Sequence, residues 1–598
     1  MKNGFLKKIL VIVLSAVLVS GMGIVTSAAE KAPFTTYAFA ETENGWLMGC
    51  QQGTTYIFRG IQYGAADRFM PAQKPAPWEG VKGALAYGTT SPNGSSSNTS
   101  VSVSTFVNPM GEDMVQNEDC LYLNVWTQTL DKEAKKPVIF FLHGGGLSAG
   151  ASNELHLYDG KNISEYGDVV YVNLNHRLNI LGYFELSAYG DEYKYSGNNG
   201  LMDTVLALEW VRDNIANFGG DPDNVTIVGQ SGGGSKVAAL MGTPAAKGLF
   251  QRAVQVSGGA TGTGTPIEDR QAATATLFEN IKANTGMTTD EEVLQFLSTC
   301  NLDTLYETIA AAGGYSYDHT IDGDYYPERN YDPATGTWCE LAKDIPLIVS
   351  STFGEMGVKD GKLVLNMAIN GAGASFNPAD PDAFLADAFK PNMTEDYMVQ
   401  RVMDGYEGAQ EQILELFHKG FPCRDTIDVL SLNDRTSSIV ECQDKAKQGG
   451  APVYNTIVAY ELPLMGGNLM SHTTDLIFWF HNMMLDPYLV EGDLEGAGYV
   501  QDCMASALVN FARTGDPSSD LVAWAPFTDE TGETMVFDTE SQVINYPDFE
   551  LLALIKENSP ASSGSASAGN EAAEEAEEAP EGESPEGESP AEEAPAQG

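Results

Sequence analysis

The sequence predicts an α/β fold, with a mostly parallel central sheet, helices on both faces and helical insertions. Three observations carry it. Pro137-Val-Ile-Phe-Phe-Leu142 is an apolar run that ends on His143-Gly-Gly-Gly146, and Val225-Thr-Ile-Val228 is a second that ends on Gly229-Gln-Ser-Gly-Gly233. Between them Leu201, Val205, Leu208, Val211, Arg212 and Ile215 recur at spacings near three and four. Short apolar runs bounded by turn residues are strands covered on both faces. The intervening spacing is that of an amphipathic helix, and strand, helix, strand is the repeating unit of an α/β sheet.

The N-terminus carries Lys2, Lys7 and Lys8, an apolar run from Ile9 to Val19, and small residues ending Ser27-Ala28-Ala29. This is the layout of a cleavable secretory signal over residues 1–29. The run is short for a spanning helix and is broken by Ser15, Ser20 and Gly21, so no stable membrane anchor is expected after cleavage. The expected location is secreted or extracellular, the cell envelope included. Residues 30–558 show no Pro/Gly/Ser linker that would divide them and are expected to form one folded unit. Within them, about Glu268 to Ala312 and Asp380 to His418 are helical in character, insertions that either shape a pocket or decorate the sheet. From Ser559 to Gly598 the composition changes to eleven Glu with no Lys, Arg or aromatic residue, and PEGES occurs twice from Pro580. Such a segment cannot bury enough apolar surface to offset its chain entropy, and disorder is expected.

The formal net charge is −49, which makes binding to nucleic-acid phosphates electrostatically unfavourable. The 43% hydrophobic content supplies a large core. Seven cysteines are scattered without a C-x-x-C pair, which indicates no metal site and, being odd in number, leaves at least one thiol unpaired even after export.

A serine hydroxyl becomes a useful nucleophile when a base takes its proton, and G-x-S-x-G supplies a sharp strand-to-helix turn that presents it. With 62 glycines in 598 residues, chance alone yields about half a match, so context decides. Two matches exist, Gly229 to Gly233 around Ser231 and Gly146 to Gly150 around Ser148. Ser231 follows a strand and precedes Ser235-Lys-Val-Ala-Ala-Leu-Met241, a helix start, whereas Ser148 leads into Ala151-Ser-Asn153 with no helix in prospect. Ser231 is therefore the expected nucleophile. Ester hydrolysis places negative charge on the carbonyl oxygen, and backbone N–H groups of Gly145, Gly146 and Gly232 can form the oxyanion hole that stabilises it.

At this point the chain resembles the type-B carboxylesterases, the family of bacterial para-nitrobenzyl esterases and, more distantly, of cholinesterases and neuroligins. The likeness runs from about Gly45 to Phe549. It rests on Phe58-Arg-Gly-Ile-Gln-Tyr63 with Arg68-Phe69 and Pro77-Trp78, Glu118-Asp-Cys-Leu-Tyr-Leu-Asn124, Asn175-His-Arg177, Gly197-Asn-Asn-Gly200 and Phe218-Gly-Gly-Asp-Pro222. The resemblance implies the α/β-hydrolase fold, an acid at Glu355 within Ile348-Val-Ser-Ser-Thr-Phe-Gly-Glu-Met356, and a general base at His472 before Thr473-Thr-Asp-Leu-Ile-Phe-Trp-Phe480. The order Ser231, Glu355, His472 agrees independently with that fold. His481 is the rival base, and Asp360 and Asp475 are the rival acids.

The activity this implies is cleavage of small-molecule carboxylic esters, of short to medium acyl chain, through an acyl-enzyme and without a cofactor. A lipase would need an interfacial lid, and Ser91 to Asn117 lacks the amphipathic character of one. A noncatalytic binding protein of the neuroligin kind would not require the triad and oxyanion hole. Oligomeric state is left open. Three departures stand out: Gln230 and Gly232 where relatives often have glutamate and alanine, Gln62 where they have proline, and Cys120 without its usual half-cystine partner. Gly232 in particular is expected to loosen the nucleophile turn.

Overall fold

The computed structural model describes residues 36–93, 114–259, 261–355, 394–406, 408–463 and 468–558. The expected signal (1–29), the acidic tail (559–598), Asp360 and most of the stretch from Ser91 to Asn117 lie outside them.

One sheet of thirteen strands organises the described residues. In chain order these are β1 (Thr36–Thr42), β2 (Gly45–Gln52), β3 (Thr55–Gln62), β4 (Val81–Gly83), β5 (Tyr122–Thr127), β6 (Lys136–Leu142), β7 (Val170–Leu174), β8 (Gly220–Gln230), β9 (Arg252–Val256), β10 (Leu347–Thr352), β11 (Val453–Val458), β12 (Glu533–Phe537) and β13 (Gln542–Asn545). They lie in the order β1-β2-β3-β5-β7-β6-β8-β9-β10-β11-β12-β13, with β4 beside β2. From β7 through β12 every neighbouring pair is parallel. The edges are antiparallel: β1, β2, β3 and β5 form a meander onto β7, and β13 turns back on β12.

The two strands read from the sequence are β6 and the end of β8, adjacent and in parallel register from Val138↔Val225 to Leu142↔Gly229. In β6 successive side chains enter different cores: Val138, Phe140 and Leu142 face one, Ile139 and Phe141 the other. This is the period of two expected of a pleated strand covered on both sides. The first core is closed by α1 (Asn199–Asn214), through Leu201, Val205, Leu208 and Val211, with Ile215 just beyond its end. The second is closed by α8 (Leu494–Thr514), through Val500, Met504, Leu508 and Phe511. Each such side chain, fully buried, contributes about 1.5–3 kcal/mol relative to exposure.

The region from Glu268 to Ala312 folds as three helices, α3 (Ile267–Thr285), α4 (Asp290–Thr299) and α5 (Leu302–Ala311). α3 stops at Gly286, whose φ of +79° favours glycine, and α4 starts on a capping box in which Thr289 and Glu292 satisfy each other's backbone N–H. These helices share a separate apolar cluster with Ile180, Leu181 and Phe184, which joins the insertion to the loop after β7. The second helical region, in its described part, gives α6 (Glu395–Gly405) and α7 (Gln410–Gly420). Arg177 of the Asn-His-Arg motif bridges that post-β7 loop to α1 through two hydrogen bonds to the buried Asp203, at 2.8 and 2.7 Å. All seven cysteines are unpaired thiols, five of them buried. Among the described residues no helix is long and apolar enough to cross a membrane.

Candidate active site

β8 ends at Gln230 and α2 (Gly232–Met241) begins at Gly232, so Ser231 alone makes the turn between them. Its backbone sits at φ +57°, ψ −123°, a region that a side chain rarely adopts and that costs on the order of 1–3 kcal/mol. The surrounding glycines explain how the turn is held. A Cβ on Gly229 would stand 2.1 Å from the Gly233 carbonyl oxygen, and one on Gly233 would stand 2.1 Å from the Leu142 oxygen. A Cβ on Gly232 would fall 2.3 to 2.5 Å from the O, Cα and N of Gly146. The expectation that Gly232 loosens the turn is therefore corrected: the space an alanine methyl would fill is occupied by the backbone of the glycine loop, and the turn is tight.

That loop leaves β6 at His143. Gly145 and Gly146 have φ of +83° and +62°, conformations that glycine adopts without steric cost. Further along, the Leu147 carbonyl accepts from the N–H of Asn179 (2.7 Å), the Ser148 carbonyl from the Asn179 side-chain amide (3.1 Å), and the Ser152 N–H donates to Asn175 Oδ1 (2.8 Å). Among the described residues, none of the N–H groups of Gly145, Gly146 and Gly232 has a hydrogen-bond acceptor. Three free donors thus collect beside the turn. Ser148 itself is exposed in this loop and starts no helix.

Glu355 lies three residues past the end of β10, at φ +34°, in a bridge to Ser471. The His472 N–H donates to the Glu355 carbonyl (3.0 Å), so the backbone sets the two side chains side by side. The His472 Nδ1 then meets Glu355 Oε2 at 2.6 Å, while Glu355 Oε1 accepts from the Thr352 N–H at 2.8 Å. Burial pushes the Glu355 carboxyl up, but the bond and charge of His472, followed by Ser257 and the Thr352 N–H, outweigh it and hold it below its ordinary pKa. Burial pushes the imidazole down, and the bond to Glu355, with its charge and that of Asp475, more than reverses this, so His472 titrates above its ordinary range.

At the other end of the ring, His472 Nε2 accepts from the side-chain amide of Gln230 at 3.1 Å. With Nδ1–H on the carboxylate and a lone pair on Nε2, the ring has the tautomer of a general base. Among the described residues no hydrogen bond joins the Ser231 hydroxyl to His472; the imidazole instead faces the residue immediately before the serine. Catalytic hydrogen bonds commonly shorten only once substrate is bound. In the sequence Gln230 stands out only as a departure from the glutamate common in relatives. Its bond to the base becomes visible because β8 and the His472 loop meet in space.

Among the described residues neither remaining rival bonds His472 or Glu355 through its side chain. His481 bonds Asp502 (3.2 Å) and stacks on Tyr166 with ring centroids 4.3 Å apart. Asp475 accepts from Trp479 Nε1 at 3.1 Å, and burial raises its carboxyl to about 7. Asp425, Asp428 and Glu461 bring oxygens within 4.8 Å of one another, where a cation could be held. Arg424 already donates to Glu461 at 3.0 Å.

A serine on a strand-to-helix turn and an acid and imidazole on loops after later strands, all at one end of a largely parallel sheet, define an α/β hydrolase. Comparison with known proteins narrows the class. The model of the carboxylesterase family matches residues 37–551; the chain belongs to that family and is a carboxylic ester hydrolase. It is 29% identical over 531 residues to the para-nitrobenzyl esterase of Bacillus subtilis (strain 168), covering 86% of this chain and 98% of that protein. Among solved structures it is similar to an esterase of Clostridium hathewayi described as able to hydrolyse aliphatic aromatic polyesters, with 35% identity, a TM-score of 0.74 and 88% and 99% of the two chains covered. It is also similar to a carboxylesterase of Geobacillus stearothermophilus, with 27% identity, a TM-score of 0.62 and 86% and 99% covered.

Proposed function

We propose that this esterase works through an acyl-enzyme, with Ser231 as nucleophile, His472 as general base and Glu355 as the acid that orients it. The observation that carries the reading is the 2.6 Å bond between His472 Nδ1 and Glu355 Oε2, presented beside the strained turn of Ser231. In the first step Ser231 Oγ bonds the ester carbonyl carbon while its proton passes to His472 Nε2, and the carbonyl electrons become an oxyanion facing the N–H groups of Gly145, Gly146 and Gly232. Collapse breaks the bond to the alkoxy oxygen, which takes the proton from His472. Water, deprotonated by the same nitrogen, then releases the carboxylic acid and restores Ser231. Glu355 keeps the proton on Nδ1 and stabilises the imidazolium.

The substrates are short to medium acyl esters, and the chain is exported with residues 1–29 removed. The likeness to the Clostridium hathewayi enzyme makes aliphatic aromatic polyesters a second substrate class. p-Nitrophenyl esters from acetate to palmitate, together with a polyester film, test these points. Turnover is expected to peak at short chains and to vanish in Ser231→Ala. A preference for long chains that appears only above substrate solubility would replace the reading with a lipase, and full activity of Ser231→Ala would end it. Mass spectrometry of protein recovered from the medium should give a mature N-terminus after Ala29; an intact Met1 there would refute cleavage.

A further inference from the structure

α2 does more than begin at the nucleophile turn. One turn further along it, Lys236 points inward with 1% of its surface exposed and donates from Nζ to the carbonyl oxygen of His143 at 2.9 Å. His143 is the first residue of the glycine loop. The last residues of that loop lead to Glu154, whose carboxyl is enclosed and accepts from Tyr158 at 3.3 Å. Burial lowers the Lys236 ammonium to about 7 and raises the Glu154 carboxyl to about 7, and the charge of each partly offsets the shift of the other. The rings of His143 and His176 stack beside them, 5.2 Å apart, each with Nδ1 on a backbone carbonyl at 2.9 Å. Burial and then the Lys236 charge hold His143 well below its ordinary pKa.

A buried ammonium is expensive, and an apolar side chain of similar length would fill the same space without that cost. The position of this one is informative. It ties α2, whose first N–H is that of Gly232, to the loop that carries the N–H groups of Gly145 and Gly146. The two elements touch backbone to backbone at Gly232 and Gly146, so a small displacement of His143 would shift the donors relative to one another.

We propose that Lys236 is a positioning residue for ester hydrolysis: its bond to the His143 carbonyl locks the loop of Gly145 and Gly146 against the end of α2 that presents Gly232. The proposal rests on the oxyanion-hole reading above. Its signature is loss of transition-state binding without loss of substrate binding or of folding.

The test compares the full chain with Lys236→Met, Lys236→Gln and Lys236→Arg, measuring kcat and KM on p-nitrophenyl butyrate, Tm, and inhibition by matched trifluoromethyl and methyl ketones. The trifluoromethyl ketone forms a Ser231 adduct that carries an oxyanion, while the methyl ketone reports ground-state binding. In Lys236→Met, kcat should fall about ten- to a hundredfold, less than for outright loss of an oxyanion donor. KM should stay within about twofold, and the trifluoromethyl ketone should weaken by a factor similar to that of kcat while the methyl ketone does not. The fold should be kept with a lower Tm, because the His143 carbonyl loses its donor and Glu154 its neighbouring cation, and the inhibitor ratio is read on the folded protein. Lys236→Arg should recover part of kcat. Lys236→Gln supplies the same inhibitor ratio should the Met variant not fold. A wild-type ratio of the two ketones in the folded variants overturns the proposal. Failure of the underlying reading looks different: the wild-type protein itself would form no trifluoromethyl ketone adduct.

Discussion

Gly229 to Gly233 and Gly146 to Gly150 spell the same G-x-S-x-G pattern, and the fold uses them in opposite ways. The first sits between an eleven-residue central strand and a ten-residue helix, with Ser231 forced to φ +57° at the junction. The second is a run of turns after β6. There Ser148 is exposed and its carbonyl is tied to Asn179. The glycines differ in role as well. Those around Ser231 are required because backbone lies where their side chains would be, that of the turn itself for Gly229 and that of β6 and the glycine loop for Gly233 and Gly232, whereas a Cβ on Gly146 would meet only Ser148 N at 3.9 Å and the position needs glycine for its φ of +62°. A nucleophile turn is thus made by what packs against the motif, and the motif alone is only permissive.

The largest effect that can test this contrast comes from paired serine variants. Ser231→Ala should lower kcat by about 10⁴-fold or more, while Ser148→Ala should stay within about twofold. Mass spectrometry after treatment with a fluorophosphonate should find the label on the Ser231 peptide. A label on the Ser148 peptide would reverse the assignment. Next in size is Glu355→Gln, which leaves the shape of the site but unsettles the imidazole tautomer; kcat should drop by about 10³–10⁴-fold with little change in KM. Retention of activity would move the acid's role to Asp475.

Smaller, and aimed at the glycines, is the comparison of Gly232→Ala with Gly146→Ala. The first inserts a methyl 2.3 to 2.5 Å from Gly146 backbone atoms and should cost about 1–3 kcal/mol in denaturant unfolding, with about a tenfold fall in kcat. The second meets nothing closer than 3.9 Å and should cost about 1–2 kcal/mol through its left-handed backbone alone. Equal behaviour of the two would erase the distinction drawn between them.

The mildest test is pH. His472 must be neutral to accept the serine proton, and its pKa is raised by Glu355 and Asp475. kcat/KM should therefore fall as pH drops through a value above the ordinary 6.5 of histidine. The residual activity of Glu355→Gln should show that limb at lower pH, since the principal cause of the rise has been removed. A limb below 6.5 in the wild-type protein would contradict the pairing seen in the structure.

Much of this was legible in the chain. β6 and β8 announce themselves as apolar runs that stop at glycines, because a strand buried on both faces has little choice of composition. α1 shows its period because Leu201, Val205, Leu208 and Val211 share the stripe that packs on the core, while Arg212, at the end of the predicted spacing, is exposed beside Asp213. Ser231, Glu355 and His472 each sit in a local string that can be matched one at a time. The antiparallel meander of β1 to β3 and β5 was less visible, since edge strands alternate only partly and their pairing depends on distant partners. The bond of Gln230 to His472 joins residues 242 positions apart. Likewise, the clash that demands glycine at 232 comes from residue 146, and the anchoring of the loop by Lys236 spans 93 positions. No local pattern encodes such meetings. The chain by itself determined the two central strands and the helix between them, through local composition and periodicity, and pointed to Ser231 by its strand-to-helix context and to Glu355 and His472 by strings shared with the carboxylesterases. Only the tertiary structure decided how closely the glycine loop approaches the nucleophile turn and which groups hold the base, because those depend on segments brought together by the sheet.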